Sequence, residues 1–407
     1  MRAPNRLESP LVFAVFFCTL FLFFTPFEQG GPNPSMVPRY LVAGVSLMLL
    51  FPLLAVRSVR PRTPTMHVLL LLALIFMHTT LIISGPGQFA MLIAADMCAA
   101  ILLYELSFHW RREFQAAIAW LLVINVLFIV LQALLFFATS AGIVDFYKMI
   151  FGSDSRFSED YLNITRFSGF HVEPGTYANY MGCLLAIMIL VSEFSERLVL
   201  LTCVSIIGIF LTNSGSSVYF VPLVTTLGLY LWRKEVRPLH LIILAAAITT
   251  YLIASGIVTH LEERFINQPS DGSLTHRIEG IAAYGAKSAE EKFVGIGFVS
   301  DPCVRCHYQD IGVLFNLTTR GGVVVSLALL GLLVRMVRVN GLVLATLLVL
   351  VPLNEKMFFY EPPVWLFVLF ALTGPSQAAR RKGAVPEAAV PEAAQPGGIA
   401  PPREHLS

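Results

Sequence analysis

The sequence predicts an all-α fold: a polytopic integral membrane protein of about twelve transmembrane helices, with two large loops on one face. Three observations carry this prediction. Hydrophobic residues make up 56% of the chain and charged residues 13%, where soluble domains average roughly 45–50% and about 25%. Mean hydropathy is correspondingly high, at +0.73. Apolar runs of near-spanning length recur along the chain, and clusters of basic residues follow only even-numbered runs, the second, fourth, eighth, tenth and twelfth. The formal net charge is only +2, so the basic footprint of a nucleic-acid-binding protein is missing.

In order, the apolar runs are 10–27, 37–56, 66–84, 88–107, 114–139, 176–192, 197–212, 215–232, 238–258, 311–334, 339–353 and 363–375. A span needs about 20 mainly apolar residues, and 197–212, 339–353 and 363–375 are short by that measure. Arg2 and Arg6 precede the first run and no small-residue cleavage site follows it, so it reads as a retained span. Arg57, Arg60 and Arg62 follow the second run, and His109, Arg111 and Arg112 the fourth. Arg233, Lys234 and Arg237 follow the eighth, Arg335 and Arg338 the tenth, and Arg380, Arg381 and Lys382 the twelfth. Short loops rich in Lys and Arg stay in the cytoplasm. Both termini are therefore predicted inside, with 28–36, 140–175, 259–310 and 354–362 outside. Residues 1–375 form the membrane domain, and the Pro/Ala-rich stretch 376–407 has too little to bury to be other than a disordered cytoplasmic tail. No inverted pair of broken spans, the mark of many transporters, is visible.

Two outward stretches hold the polar residues. The first, 140–175, begins with the amphipathic segment 144–151, whose aromatics are predicted to rest in the interface plane. It ends in Glu173-Pro174, which reads as a helix start: Pro suits the first helical position, and an acid there favours the helix dipole. The second, 259–310, is the longest polar interruption between spans. Within Thr275 to Lys292, Ile278, Ile281 and Ala282 recur at helical spacing, predicting a short amphipathic helix. A tight turn at Gly295-Ile296-Gly297 and a segment to His307 complete it; the strand and helix of a dinucleotide site are missing.

Arg166, Arg264 and Arg277 lie near outward span ends, where the positive-inside bias disfavours them. Arg320 sits about nine residues, or roughly 14 Å, into the tenth run, where an ionisable group normally faces protein or water. Each reads either as a snorkelling or salt-bridged side chain, with Glu262, Glu263 or Glu279 in reach, or as part of an anion site, because guanidinium matches phosphate oxygens. His307 is either a solvated loop histidine or a general base for an attacking hydroxyl. Glu173 is either a helix-start charge or an acid, base or sugar ligand, and His171 beside it is equally open. Asp96 in mid-span is either a helix–helix contact or a functional group. Cys303-Val304-Arg305-Cys306-His307 matches the haem-attachment pattern, but no second redox motif accompanies it, and a structural zinc site would want a fourth ligand. The preferred reading is a cysteine pair, oxidised or reduced, that stiffens the approach to His307. No Asp-x-Asp pair occurs in the outward loops, which disfavours metal-dependent transfer from a nucleotide sugar. No cofactor is expected.

Several of these stretches resemble one family. Arg166-Phe167-Ser168-Gly169-Phe170-His171-Val172-Glu173-Pro174 before a span is one, and Leu211-Thr212-Asn213-Ser214 at a span end is another. Arg277, Gly295-Ile296-Gly297-Phe298 and His307 before a span with Gly321-Gly322 complete the set. They are similar to the short motifs of bacterial O-antigen polymerases of the Wzy type and O-antigen ligases, over about residues 160–335. The resemblance implies a GT-C-like helical fold in the bacterial inner membrane, a periplasmic active site and a metal-independent glycosyltransferase. It implies an undecaprenyl-diphosphate-linked glycan as donor, and a chain-length regulator and a flippase of the same pathway as partners. Carried over by residue, Arg166 and Arg277 would hold the diphosphate, and His307 would act as base or orient the acceptor hydroxyl. Arg264 and Arg320 join the diphosphate site on charge alone, and Glu173 joins His307 as a catalytic candidate. Ligases usually carry Asn after the loop His and often before the first-loop Pro; this chain has Tyr308 and Glu173, which favours a polymerase. Cys303 and Cys306 lie outside the family pattern. The expected function is polymerisation of lipid-linked repeat units into an O-antigen or exopolysaccharide. A ligase acting on lipid A–core is the nearest alternative, and a lipid-linked oligosaccharide flippase, for which only Asp96 and Arg320 supply charge within spans, is the alternative of another class.

Overall fold

An apolar chain out of water must satisfy its own backbone N–H and C=O groups, and helices do so within one segment. The computed structural model obeys this rule: it is all-helical, with no strand among the described residues. Those residues are 8–25, 37–56, 60–83, 88–139, 142–155, 165–235, 249, 272–298, 312–353 and 361–374. The helices are α1 (Glu8–Phe24), α2 (Val37–Val56), α3 (Thr63–Ile83), α4 (Gln88–Ser107), α5 (Arg111–Thr139), α6 (Phe146–Phe151) and α7 (Pro174–Val191). They continue with α8 (Glu196–Leu211), α9 (Gly215–Trp232), α10 (Gly272–Gly285), α11 (Ala289–Val294), α12 (Val313–Asn340), α13 (Leu342–Leu350) and α14 (Pro362–Thr373).

Each predicted run coincides at least in part with a helix, apart from 238–258, of which only Thr249 is described. Among the described residues, seven helices are long and apolar enough to cross a membrane: α2, α3, α4, α5, α7, α9 and α12. The shorter α1 and α14 are apolar too, whereas α8 reaches only 16 residues and α13 only 9. The tenth run extends further than predicted, through Arg335 and Arg338 to Asn340, and Arg338 in the last turn suits the negative end of the helix dipole. The amphipathic helix predicted between Thr275 and Lys292 is two helices. α10 ends on Gly285, and Ser288 starts α11 with a capping box closed by Glu291. Ile278 and Ile281 are both exposed, so the apolar stripe of α10 faces away from the described protein.

One expectation is corrected outright. Phe146 and Tyr147 do not rest in an interface plane; both are buried, and Phe146 meets Phe128 of α5 edge-on at 5.3 Å. The cause is local. Gln132 Nε2 on α5 donates to the Val144 carbonyl at 2.6 Å. The Asp145 side chain then accepts from the Lys148 N–H and starts α6 against the bundle.

Two helices form the middle of the bundle. α7 is buried along its whole length, and in α14 every residue from Pro362 to Leu372 is buried except half-buried Val368. The two pack on each other; α5, α8 and α9 surround α7, while α3, α4 and α12 surround α14. Small residues allow the closest approaches: a Cβ on Gly182 of α7 would stand 2.3 Å from the Phe220 ring of α9. Aromatic rings fill the α14 side, with Phe370 edge-on to Tyr104 at 5.1 Å and tilted against Phe114 at 5.6 Å. The outer helices expose large apolar side chains such as Met48, Phe51, Leu81, Leu127 and Phe137. Apolar surface of that extent suits lipid better than water.

Candidate functional site

The first-loop motif and the 211–214 motif are joined in space. Asn213 takes the left-handed conformation at φ 45, alone among the described non-glycine residues, and turns the chain sharply between α8 and α9. Ser214 Oγ then caps α9 by accepting from the Ser217 N–H at 3.1 Å. In that turn Asn213 Nδ2 donates to the Thr165 carbonyl at 3.0 Å, beside half-buried Arg166. The rest of the loop hangs from α5: Gln132 Oε1 accepts from the Ser168 and Gly169 N–H groups, both at 2.9 Å.

His171 is part of this scaffold. It is fully buried, against Phe170 and Tyr177. Asn125 Nδ2 donates to the Leu121 carbonyl, which turns Asn125 Oδ1 toward His171 Nε2 at 2.8 Å. Nε2 therefore carries the proton, and buried Nδ1 has no partner among the described residues. Burial pushes the pKa of His171 down to about 3. Its neutral form is favoured by folding, so the stability it contributes is present above the unfolded pKa of about 6.5 and is lost as pH falls toward about 3. Lowering pH from about 6.5 to about 5 is expected to cost roughly 2 kcal/mol. The His171→Gln variant should lose that share of the acid sensitivity, as read from melting temperatures in detergent across this range.

Glu173 sits where the sequence predicts, at the N-cap of α7 with Pro174 in the first helical position, and Thr176 Oγ1 donates to its Oε1 at 3.1 Å. A second carboxylate matches it. Glu361 precedes Pro362 at the start of α14 in the same way. α7 and α14 run parallel: Tyr180 donates to Glu361 near one end, and Val191 and Thr373 line one cavity at the other. Tyr180 lies six residues past Pro174, so α14 begins about 9 Å further down the bundle axis than α7. Glu361 thus occupies a recessed position, and both helices turn the positive ends of their dipoles the same way. Among the described residues, Glu361 and Arg39 of α2 are charged groups that act on buried Asp96 of α4. Both carboxylates are groups that can take or give a proton, and Tyr180 supplies Glu361 with a hydrogen-bond donor.

Arg320 lies on the neighbouring wall, 3% exposed. Its Nε donates to Asn316 Oδ1 at 3.0 Å, its Nη1 to the Gly297 carbonyl at 3.4 Å, and the guanidinium lies over Phe89 of α4. Asp96 follows Phe89 by seven residues, two turns along the same face of α4. Next to Arg320 the helix α12 is broken at Gly322, with φ 56 and ψ −151. The Gly295-Ile296-Gly297 segment is docked into the break: Ile296 and Gly297 N–H groups donate to the Thr319 and Arg320 carbonyls at 3.0 and 2.9 Å. His78 Nε2 of α3 donates to the Val294 carbonyl at 2.5 Å from the other side. The predicted tight turn is therefore a backbone plug that satisfies a broken helix.

Arg277 is a residue of α10 whose side chain lies outside the described residues, as do Arg264, His307, Cys303 and Cys306 altogether. Reading the sequence missed Glu361, Tyr180 and Arg39. The signal for the first was present: Glu-Pro opens a buried helix twice in the chain. No protein-family model matches the chain, and no curated protein matches it in sequence.

Proposed function

We propose that this chain is an inner-membrane glycosyltransferase that polymerises undecaprenyl-diphosphate-linked repeat units into a surface polysaccharide. Its reaction centre lies at the end of the bundle that carries Glu173 and Glu361. One observation carries the reading: stretches that resemble Wzy-type motifs are distant in sequence and yet meet in pairs. Asn213 of the 211–214 stretch bonds beside Arg166, and Arg320, next to Gly321-Gly322, bonds to Gly297. Chance matches have no reason to touch. Charge adds support. The opposite end of the bundle is lined by Arg62, Arg111 and Arg335, and the positive-inside bias favours the cytoplasm for that end. The Glu173–Glu361 end then faces the periplasm, where lipid-linked repeat units are used.

In this reaction a sugar hydroxyl of the acceptor attacks the anomeric carbon of the donor, and the bond from that carbon to the diphosphate oxygen breaks. His307 or a neighbouring carboxylate takes the hydroxyl proton. Arg166, Arg277 and Arg264 hold the departing diphosphate, and preorganised positive charge, including two helix N-termini, stabilises it as it leaves. Arg320 keeps the 295–297 plug in place beside it.

Reconstitution with lipid-linked repeat units tests the reading. Arg166→Ala, Arg277→Ala and His307→Ala are each expected to lower polymer formation by about 10²-fold or more. Three folded variants that all polymerise at the wild-type rate would refute it. In a cell, loss of a polymerase leaves lipopolysaccharide capped by a single repeat; bare core would point to a ligase instead.

A further inference from the structure

At the end of the bundle away from Glu173 and Glu361, a cavity of about 580 Å³ opens among the start of α3, the ends of α4, α7 and α14, the start of α5, and α12. Three arginines line it, Arg62, Arg111 and Arg335, and no acidic residue does among the described residues. Two of the three have structural work. Arg62 Nη1 pairs with buried Glu105 at 2.7 Å, and its guanidinium stacks on Phe108. The same carboxylate accepts from the Arg62 N–H and from Thr65 Oγ1, so its charge is spent on Arg62 and the start of α3. Arg111 donates through Nε and Nη2 to the Val191 carbonyl at the C-terminal end of α7, which Gln115 also caps.

Arg335 differs. Among the described residues it makes no hydrogen bond or ion pair, and its Nε is buried. A buried guanidinium donor without an acceptor is costly unless a ligand supplies one. The walls beside it are apolar, formed by Phe114, Leu190 and Phe370. An ion needs no such walls, whereas an amphiphile does, and seven helices among the described residues have the length and apolarity to sit among lipids.

We infer that this cavity binds the phosphate of an anionic phospholipid headgroup, with Arg335 as its principal ligand, Arg62 and Arg111 as flanking positive charge, and the lipid chains against Phe114 and Phe370. A planar guanidinium suits phosphate oxygens in bidentate geometry, and basic pockets between membrane helices are a known way of holding acidic headgroups. The inference is independent of the glycan reaction, which lies at the other end of the bundle.

The test is a titration of the purified full chain in neutral detergent, read by melting temperature, with phosphatidylglycerol, phosphatidylcholine or inorganic phosphate added separately. Phosphatidylglycerol should raise the melting temperature saturably, and phosphatidylcholine should not. Arg335→Gln should raise the half-saturating phosphatidylglycerol concentration by about tenfold or more. Arg338→Gln, an exposed arginine on the same helix, should leave it unchanged. Wild-type protein that shows no preference for phosphatidylglycerol over phosphatidylcholine overturns the proposal whether or not the variants fold. An equal loss in Arg335→Gln and Arg338→Gln overturns it too, since unspecific surface charge would then suffice. A response to inorganic phosphate as strong as that to phosphatidylglycerol overturns the lipid as the occupant.

Discussion

Glu361→Gln is expected to lower the rate of polymer formation by about 10²–10⁴-fold, the usual share of a general acid or base. The substitution keeps shape and removes only the charge and the exchangeable proton. Glu361 sits at the start of a buried helix and accepts from Tyr180, and its charge, like that of Arg39, acts on buried Asp96 of α4. A carboxylate held in one orientation by a tyrosine at a helix start is placed to take or give a proton. Tyr180→Phe should cost less, about tenfold, because it removes one hydrogen bond and leaves the carboxylate. The rates come from reconstitution with lipid-linked repeat units, alongside helix content by circular dichroism. Wild-type turnover in Glu361→Gln would mean that the residue serves only the dipole of α14.

Gly322→Ala should break the architecture rather than the chemistry. At φ 56 and ψ −151 the residue lies near a region that is essentially open to glycine alone. A Cβ would also stand 2.3 Å from the Phe293 carbonyl oxygen and 2.5 Å from that of Val294. Those are backbone atoms with nowhere to go. The strained conformation costs about 1–3 kcal/mol and the overpacking about another 1–3 kcal/mol. Undocking the plug would further release the Thr319 and Arg320 carbonyls and the Arg320–Gly297 contact. Gly295→Ala meets the same wall from the other side, 2.4 Å from the Arg320 carbonyl oxygen. Both variants should melt earlier in detergent and lose activity together. By contrast Gly331→Ala, on the same helix with open space around it, should be neutral or slightly stabilising. Equal melting of Gly322→Ala and Gly331→Ala would refute the account of the break.

The helices were legible because their signal is local. A run of apolar residues has to be helical once water is gone, and the Glu173-Pro174 start is a matter of two adjacent residues. The placement of Phe146 and Tyr147 was misread for the complementary reason. An aromatic beside polar residues looks the same whether it meets an interface or a neighbouring helix, and only the Gln132–Val144 bond decides for the helix. The split between α10 and α11 shows the same limit, since Gly285 and the Ser288–Glu291 box were readable but were outweighed by one continuous apolar spacing.

By itself, then, the sequence determined that the protein is all-helical, where most of its apolar helices lie, and that a Glu-Pro pair opens α7. Tertiary structure alone decided that α7 and α14 are the centre of the bundle, and that Asn213 meets the Arg166 loop. It also decided that residues 295–297 plug a break at Gly322, and that Glu361 is recessed against Tyr180. The reason is physical. In a water-soluble helix the polar face marks the outside, but where lipid and protein interior are equally apolar, hydropathy does not tell a lipid-facing residue from a packed one. Which helices touch is then settled by small residues such as Gly182 and by a few buried hydrogen bonds, all of them contacts between residues far apart in the chain.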